Sequence, residues 1–526
     1  MSNGLIFLII PTPCTDDPTG RLYSLFPVGF RNLWEMQVLY QGFIFLSVPF
    51  CLQIGIRSYF AGCKSLIFDE QNTPSAKGLP LTITSSKEYF YSVSFMAKKV
   101  VIIGAGPSGL LLAHYLLKRG DKYRVEIYER LSDPRTLPFA RVRTHPVTLN
   151  ERGLRALRHI DGLVERVREI GEDVNGIVLH YQKGKYNQAP RKSLLVTLDR
   201  TQLVMVLLES LTNLYGESRL NIFFNCQCQQ IDFENKALRF RPHSEKPLTL
   251  IPHEFTVYYD FLVGADGSRS TVRSHLLGID LFECDQKYIA ADYKPLNLTV
   301  PDECITTIIA KDKIHYWLHR QNTLLALQHQ RDQTMSGVIL FPRQYSQVAT
   351  FTTVAEVLKF FHKNFPEIGK FMTEGDAETF LNRPPSRILT IRCNRYHHED
   401  HVLLIGDAAH AVSSSISQGC NAALDDVFVL NNLLNRYADN LKVTLLQYSA
   451  TRTQEAHALV NLADYAFMRD RNLLFEFMGR EFVIKTLHRL FPWVFPPSLV
   501  DLLFDTTVPY SEIWRKYKNW LHQVKN

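Results

Sequence analysis

The sequence predicts an α/β fold into which a mainly antiparallel sheet is inserted and which ends in a helical C-terminal tail. Three observations support this prediction. Residues 100–118 pass from an apolar run through a glycine-rich turn into apolar residues at helical spacing. Residues 288–340 hold short stretches of alternating polarity, which are typical of antiparallel strands. Residues 473–524 combine Leu, Phe and Trp with basic side chains in a pattern that favours helices.

The most informative motif is the glycine-rich turn between the first apolar strand and its helix. The turn reads G-x-G-x-x-G, with Gly104, Gly106 and Gly109, and a second apolar strand ends in Glu129. Gly104 permits the turn, Gly106 lets the backbone approach a pyrophosphate, and Gly109 lets the helix and strand pack closely. The helix N-terminus offers free N–H groups to an anion, and Glu129 stands where a carboxylate can bind a ribose. The pattern predicts a Rossmann-like βαβ unit that binds a dinucleotide.

Two later segments repeat the order of apolar strand, small residues and helix. The segment DFLVGADGSRSTVR contains Asp266 and Gly267, and the segment VLLIGDAAHA contains Gly406 and Asp407. Each alone could be an ordinary strand-to-helix turn with a helix cap. Asp407 could equally bind a polyol hydroxyl while the neighbouring amides face an anion.

Composition and charge exclude several classes of protein. The chain is 46% hydrophobic and 12% aromatic, which is ample for large cores, and its formal net charge is only +7. It has no long basic block, zinc-finger spacing or RNA-binding signature, so we expect no nucleic-acid partner. The nine cysteines are scattered, so we expect neither a metal site nor a disulfide framework and favour a reducing compartment.

Residues 1–95 differ from the rest of the chain. They include an uncharged stretch, residues 38–56, which Gly42 and Pro49 interrupt. One interpretation is a leader or a membrane segment, although the stretch barely reaches spanning length and a positively charged start is missing. The other, which we favour, is that the folded protein begins at Met96 and that the preceding residues are a poorly ordered extension or no part of the mature fold.

Taken together and in this order, the three motifs resemble the FAD-binding motifs of the single-component (group A) flavoprotein monooxygenases, the family of para-hydroxybenzoate hydroxylase. The resemblance covers residues 96–471. It implies that FAD is the cofactor and that NADPH or NADH is a transient reductant. It also implies that O2 and a flavin hydroperoxide hydroxylate a small aromatic or electron-rich substrate. The sequence has neither a second G-x-G-x-x-G domain nor a redox C-x-x-x-x-C pair, which disfavours the disulfide reductases.

The same resemblance implies which residues hold FAD. The three glycines would hold the pyrophosphate, Glu129 the adenosine ribose and Asp407 the ribityl chain. Asp266 with Gly267 would serve both FAD and the entering pyridine nucleotide. Arg200, in the segment DRTQL, matches the family's arginine near the FAD phosphates. The complete predicted cofactor set is Gly104, Gly106, Gly109, Glu129, Arg130, Arg143, Arg200, Asp266, Gly267, Gly406, Asp407, Gln418, Gly419, Cys420 and Asn421.

Several further segments resemble the kynurenine 3-monooxygenase-like proteins, among them RTHPVTLNERGLRAL, STVRSHL, DYAFMR and VPYSEI. The substrate side departs from them. Ile177 stands where an arginine pairs with the kynurenine carboxylate, the loop 414–417 has serines in place of an aromatic wall, and Asp464 replaces an asparagine. An aliphatic group cannot replace a guanidinium that binds a carboxylate through two hydrogen bonds. Kynurenine is therefore a doubtful substrate for the predicted pocket, which comprises Ile177, Ser414, Ser415, Asp464 and Tyr465.

These patterns also give domain boundaries. The predicted segments are an extension (1–95), three parts of the FAD-binding domain (96–175, 255–284 and 396–471), inserted strands with a helix (176–254), a substrate-side sheet (285–395) and a helical tail (472–526). Amphipathic patterns predict helices over residues 149–160 and 201–215, and an apolar pattern predicts a strand over residues 222–233.

Some functional questions stay open at this point. The tail, with aromatic beside basic residues, fits an interfacial helix on an anionic membrane or a helix that covers the catalytic domain. We therefore expect a cytoplasmic or a peripherally membrane-associated protein. No side chain can be named as a catalytic acid or base, and a histidine placed like His410 is typical of a structural helix residue. The alternatives to a monooxygenase are a flavin-dependent reductase of a lipid or isoprenoid and a catalytically decayed, flavin-holding interaction protein.

Overall fold

The computed structural model describes residues 6–12, 22–28, 97–139, 144–181, 186–242, 254–300, 309–319, 323–344, 346–466 and 471–525. The chain divides into two compact units, Met1–Ser92 and Val93–Asn526. In the first unit, β1 (Ile6–Thr12) pairs antiparallel with β2 (Leu22–Val28). The other residues up to position 95 lie outside the described ranges, so the poorly ordered extension stays a prediction.

The second unit alternates strands and helices. In chain order its elements are β3 (Lys98–Ile103), α1 (Pro107–Leu117), β4 (Tyr123–Tyr128), β5 (Pro146–Leu149), α2 (Glu151–Leu157), α3 (Leu163–Ile170), β6 (Glu172–His180), β7 (Tyr186–Asp199), α4 (Arg200–Leu214), β8 (Leu220–Phe223), β9 (Cys226–Asp232), β10 (Ala237–Pro242), β11 (Phe255–Tyr258), β12 (Phe261–Gly264), α5 (Thr271–Leu276), β13 (Cys284–Thr299), β14 (Lys313–His319), β15 (Thr323–His329), β16 (Thr334–Pro342), α6 (Val354–Asn364), α7 (Pro366–Gly369), α8 (Glu374–Asn382), β17 (Ser386–Cys393), β18 (His397–His398), β19 (Val402–Leu404), α9 (Asp407–His410), α10 (Gly419–Arg436), α11 (Leu441–Ala466), α12 (Arg471–Leu490), α13 (Leu499–Asp505) and α14 (Tyr510–Lys525).

One sheet of the second unit has six strands in the order β18-β19-β12-β3-β4-β8. Its neighbouring pairs are parallel except for the β18–β19 hairpin. Apolar residues fill the last four positions of β3 because both faces of the sheet are covered there, and every residue of α1 is buried. This confirms the predicted α/β fold. The carboxyl ends of β3, β12 and β19 meet at one edge, so the three motifs come together there.

The inserted sheet has eight strands in the order β17-β13-β16-β15-β14-β6-β7-β5. Among its described pairings, only β14 with β6 is parallel, so the sheet is mainly antiparallel, as predicted. Side chains alternate along β16: Met335 and Ile339 enter a core that includes Phe361 of α6, whereas Ser336 and Val338 face a cavity. The inserted sheet therefore supplies one wall of that cavity.

Two predicted elements are wrong in detail. Residues 222–233 form two strands, β8 and β9, because Asn225 between them has a left-handed backbone with φ of 56°. The predicted helix 149–160 starts too early, because its first residue is the last residue of β5. Helix α2 starts only after Asn150, whose side chain accepts hydrogen bonds from the amides of Arg152 and Gly153.

The C-terminal tail is helical, as predicted. The apolar side of α14, with Tyr510, Ile513 and Tyr517, packs in one core cluster with Leu459 and Leu462 of α11. None of the helices within the described ranges combines the length and the hydropathy that crossing a bilayer requires.

Candidate functional site

A cavity of about 1030 Å³ lies where the three motifs meet. Its lining comes from the loops after β3, β4 and β12, from the starts of α4, α9 and α10, and from strands β13 to β17. This volume is at the upper end of the range of ligand pockets, roughly 300–1,000 Å³. One end of the cavity is therefore built from backbone and charged groups of the parallel sheet, and the other from side chains of the inserted sheet.

The glycine loop forms the first wall. A Cβ atom on Gly104, whose φ is +104°, would lie 2.5 Å from the carbonyl oxygen of Ala265, and one on Gly109 would lie 2.3 Å from the carbonyl oxygen of Gly104. Gly106 leaves space at the cavity surface, with its Cβ position 3.4 Å from Nη2 of Arg200. Gly104 and Gly106 line the cavity, whereas Gly109 lies behind them and packs helix against strand. The absence of side chains at Gly104 and Gly106 thus lets a ligand approach the backbone of this loop closely.

Glu129 holds this loop from the side. Its carboxylate accepts hydrogen bonds from the amide of Ala105 at 2.9 Å and from the amide of Leu131 at 2.8 Å. A carboxylate can accept about four hydrogen bonds, so Glu129 keeps acceptor capacity for ligand hydroxyls. Glu129 and Arg130 both line the cavity, at the position predicted for the ribose contact.

Arg200 supplies a cation opposite the glycine loop. It is the first residue of α4, which a capping box of Asp199 and Gln202 fixes at its N-terminus. Its amide donates to the carbonyl oxygen of His145 at 3.1 Å. Burial and then the charge of Arg200 lower the pKa of His145 to about 4, so that histidine is neutral at pH 7. The positive charge on this wall therefore belongs to Arg200.

Asp266 contributes an unpaired acceptor. Its Oδ2 accepts hydrogen bonds from the amides of Thr271 at 2.6 Å and Val272 at 3.3 Å, which ties it to the start of α5. Its Oδ1 is buried and, among the described residues, has no hydrogen-bond partner. Burial raises the pKa of Asp266 above its ordinary value. A buried polar atom without a partner is costly, so Oδ1 fits a ligand donor.

Gly406 and Asp407 form the third wall. A Cβ atom on Gly406, whose φ is +58°, would lie 2.9 Å from Oγ of Ser108. Its amide donates to Oδ2 of Asp426 at 2.8 Å. The Asp407 side chain faces the cavity, where burial by the surrounding protein raises its pKa and Arg200 opposes that rise. The carboxylate is thus placed to meet a ligand in the cavity.

A buried charge network that the sequence did not reveal supports this wall. Asp426 accepts from Nε2 of His410 at 2.6 Å and from Nε of Arg452 at 2.7 Å, and Arg452 also contacts Asp425 at 3.3 Å. The exposed fractions are 0% for Asp426, 2% for His410 and 3% for Arg452. Together with the amide of Gly406, these contacts explain His410 as a structural residue. His410, Asp426 and Arg452 lie on three different helices, α9, α10 and α11, and they meet only because these helices pack together.

The loop before α10 is divided between the cavity and the protein interior. Ser414, Gly419 and Cys420 line the cavity. Gln418 and Asn421, which were predicted to contact the cofactor, are fully buried and do not line it. Gln418 accepts from the side chains of Asn150 (3.0 Å) and Tyr510 (3.0 Å), and Asn421 donates to the carbonyl oxygen of Thr148 (2.8 Å). The side-chain amides of both residues therefore hold the loop in place. A sequence motif alone cannot distinguish this role from ligand binding.

Most of the predicted substrate residues lie away from this cavity. Ile177 packs in an apolar cluster with Tyr316 and Phe504, Ser415 donates to the carbonyl oxygen of Ala463 at 3.0 Å, and Asp464 accepts from Arg392 at 3.1 Å. None of the three lines the cavity, because each is engaged by its own neighbours. Arg143 and the side chain of Tyr465 lie outside the described residues.

The inserted sheet, together with His145 just before β5, brings other residues to the cavity that the motifs did not identify. These are His145, Tyr293, Tyr316, Gln328 and Arg387. The rings of His145 and Tyr293 meet edge to face at 6.2 Å. Alternation along β14 to β17 could have shown which residues share a face, but not which of the two faces meets the cavity.

Comparison with known proteins agrees with this geometry. Residues 97–463 match the family described as "FAD binding domain". A kynurenine 3-monooxygenase of Drosophila willistoni is 30% identical over 439 residues, which cover 81% of this chain and 91% of that protein. The kynurenine 3-monooxygenase of Sus scrofa is 27% identical over 438 residues, with coverage of 81% and 88%.

Solved structures share the fold at low sequence identity. The tetrameric form of 2-methyl-3-hydroxypyridine-5-carboxylic acid oxygenase has a TM-score of 0.58 and 18% identity, covering 70% of this chain and 91% of that one. PqsL of P. aeruginosa, in complex with 2-aminobenzoylacetate, has a TM-score of 0.54 and 20% identity, with coverage of 70% and 95%. The glycine cradle, the unpaired Asp266 oxygen and the cavity volume fit FAD. The chain therefore belongs to the FAD binding domain family and, within it, to the flavin-dependent monooxygenases, which use FAD with NAD(P)H as the reductant.

Proposed function

We propose that this monooxygenase hydroxylates a small aromatic substrate at the end of the cavity that the inserted sheet forms. The observation that carries the proposal is the two-sided cavity, with glycine backbone and Arg200 at one end and Tyr293 and Tyr316 at the other. Bound FAD supplies the redox chemistry between NAD(P)H, O2 and the substrate ring. The chain's own residues bind, orient and keep water away.

We assign the cofactor contacts as follows. The backbone amides of the glycine loop bind the pyrophosphate, Glu129 the adenosine ribose, and Asp407 the ribityl hydroxyls. Oδ1 of Asp266, which has no hydrogen-bond partner among the described residues, accepts a hydrogen bond from a ligand donor at the flavin side of the cavity. Gln418 and Asn421 act indirectly, because their side chains fix the loop that carries Gly419 and Cys420.

The substitution Arg200→Gln tests the phosphate end. It removes a charge near Gly106 but keeps most of the side chain's length, and charge-assisted hydrogen bonds contribute about 1.5–3 kcal/mol each. We therefore expect FAD to dissociate roughly tenfold to a hundredfold more readily. Fluorescence titration of apoprotein with FAD measures this. Arg124→Gln, at an exposed arginine outside the cavity lining, is the matched control for a general loss of charge, and equal effects from the two variants would argue against a specific role for Arg200.

Kynurenine itself stays disfavoured as the substrate. Ile177 is held by an apolar cluster, and the nearby Arg191 already pairs with Asp505 at 3.1 Å, with side-chain exposures of 6% and 8%. Arg387 of β17 is the cation on the inserted-sheet side of the described lining. We therefore favour a small aromatic amine, phenol or acid over an aromatic α-amino acid.

Labelled O2 distinguishes this function from its alternatives. FAD-loaded protein is incubated with NADPH or NADH and a panel of aromatic amines, phenols, acids and kynurenine, while reductant consumption and product mass are measured. A monooxygenase places one labelled oxygen atom in the product for each NAD(P)H consumed. Substrate reduction without label would indicate the reductase, and tight FAD binding with no stimulated turnover would indicate the interaction protein. Stimulation by kynurenine alone would contradict the substrate class proposed above.

We also propose that α12 and the turn after it rest on an anionic membrane surface. Phe482, Leu490, Trp493 and Val494 are 73%, 59%, 79% and 61% exposed, a density of large apolar side chains that soluble surfaces rarely show. Basic residues such as Arg489 lie among them. Such a combination inserts its apolar side chains at the lipid interface while cations meet the headgroups.

The double substitution Phe482→Ser with Trp493→Ser should weaken binding to vesicles of phosphatidylserine and phosphatidylcholine by roughly tenfold or more, because each buried aromatic contributes about 1.5–3 kcal/mol. Co-sedimentation measures this. Leu446→Ser, at a 54% exposed apolar position on α11, is the control and should bind like the parent protein. No binding of the parent, or equal loss in both variants, would refute the membrane proposal.

A further inference from the structure

Two cysteines face each other across the strands β13 and β17. Cys284 and Cys393 occupy directly opposed positions, with their sulfur atoms 3.4 Å apart, and both are free thiols. The amide of Asn394 donates to the carbonyl oxygen of Glu283 at 3.0 Å, so that neighbouring pair is hydrogen-bonded. The cysteines therefore form a non-hydrogen-bonded pair, in which opposed Cα atoms are only about 4.5 Å apart. That spacing lies within the range that a disulfide requires, about 4.4–6.8 Å.

The two thiols have unequal surroundings. Cys393 is fully buried and donates its S–H to the sulfur of Cys284, which is partly exposed. This hydrogen bond, assisted by the charge of Arg273, lowers the pKa of Cys284. The same contact, and then burial, raise the pKa of Cys393. A partly exposed thiol beside a cation and a donor has the environment of reactive cysteines.

We propose that Cys284 and Cys393 form a peroxide-sensitive pair that closes to an intramolecular disulfide. The thiolate of Cys284 attacks hydrogen peroxide, breaks its O–O bond and becomes a sulfenic acid, while the released hydroxide takes a proton to form water. The sulfur of Cys393 then attacks the sulfenic sulfur, loses its proton and releases a second water molecule. Two thiols are oxidised by two electrons, and one peroxide is reduced to two waters.

The position of the pair gives the link a structural consequence. Arg273, next to the thiols, donates to the carbonyl oxygen of Ala408 at 2.8 Å and to that of Ser268 at 2.7 Å. It thereby joins the loop of the second motif to the helix of the third. A disulfide removes the S–H donor and the thiolate beside this arginine. It also links β13 and β17 covalently. This inference does not depend on the substrate or on membrane binding.

Mass spectrometry of the full-length, FAD-loaded protein tests the pair. After hydrogen peroxide and then an alkylating agent, we expect a peptide in which Cys284 and Cys393 are linked, with two hydrogens fewer than the sum of the reduced peptides, and we expect dithiothreitol to separate it. Loss of alkylatable thiol at Cys284 should be roughly tenfold faster than at Cys228. Cys228 is an internal control because burial raises its pKa to about 12.

Two variants separate the steps. In Cys393→Ser, peroxide should leave Cys284 as a sulfenic acid that dimedone traps, whereas in Cys284→Ser no oxidation product should form at Cys393. The wild-type measurement stands even if a variant folds poorly. Disulfides between different chains, linkage to another cysteine, or a Cys284 thiol that survives peroxide in folded protein would overturn the proposal.

Discussion

Alanine in place of Gly104 should abolish FAD retention and lower the melting temperature sharply. The φ of +104° alone would cost an L-residue about 1–3 kcal/mol. In addition, the new Cβ would lie 2.5 Å from the carbonyl oxygen of Ala265 and 2.9 Å from the Cα of Asp266, and both are backbone atoms that cannot rotate away. The clash must therefore displace either the glycine loop or the loop that carries Asp266. Absorbance at the flavin band after gel filtration, with thermal unfolding, measures both effects.

Gly120→Ala separates backbone strain from this clash. Gly120 also has a positive φ, of +72°, but a Cβ atom there meets nothing within 4 Å. The variant should lose some stability, about 1–2 kcal/mol, and keep its FAD. Similar FAD loss in both variants would mean that strain, and not the contact between two motifs, governs cofactor binding.

This contact also shows what the sequence could predict. The glycines and acidic residues lie within continuous segments whose strand, turn and helix order is local, so the βαβ unit could be predicted from the sequence. That the three motifs share one cofactor was implied by their resemblance to a known family. Gly104 lies close to Ala265 because β3 and β12 are parallel neighbours that end side by side.

Two residues that were predicted to contact the cofactor have side-chain partners that are distant in sequence. Gln418 and Asn421 belong to a segment that resembles a cofactor loop. The side chain of Gln418, however, accepts hydrogen bonds from Asn150 and from Tyr510 of the C-terminal tail. Arg152 stacks over the Tyr510 ring at 4.1 Å and so adds to the same junction. An amide side chain has the same appearance in a sequence whether it binds a ligand or the protein itself, so only the packing of α2 against α10 and the tail decides its role.

The substrate wall was beyond prediction for a different reason. Residues such as Tyr293, Gln328 and Arg387 lie on strands of the inserted sheet, and a strand presents one alternate set of side chains to each face. Which face meets the cofactor depends on how the inserted sheet docks beside the parallel sheet. No short motif encodes that arrangement.

Asp426→Asn should destabilise the protein strongly. Removing one partner of a buried ion pair leaves the other charge uncompensated, which typically costs about 3–5 kcal/mol. Here Arg452 would keep Asp425 as an anionic partner and the carbonyl oxygen of Ala422, and the Gly406 amide would lose its carboxylate acceptor. We expect the melting temperature to fall by roughly 10 °C and FAD to bind more weakly, because Gly406 positions Asp407. Glu476→Gln, which breaks the exposed Glu476–Arg480 contact of 2.8 Å, is the control and should leave both quantities unchanged.

The same carboxylate gives the wild-type protein an acid-sensitive contribution to stability. Burial alone would raise the pKa of Asp426, but His410 and Arg452 outweigh burial and lower the pKa from 3.8 to about 2. Because the folded-state pKa is below the unfolded value, this contribution is complete above about pH 4 and disappears as the pH falls toward 2. The shift corresponds to about 2 kcal/mol at neutral pH. Chemical denaturation of wild type and Asp426→Asn from pH 5 to pH 2 should therefore show converging stabilities as the pH falls. A stability difference that is constant over this range would mean that the interaction of Asp426 with Arg452 does not depend on ionisation, and that the cost of the variant comes from lost hydrogen-bond geometry instead.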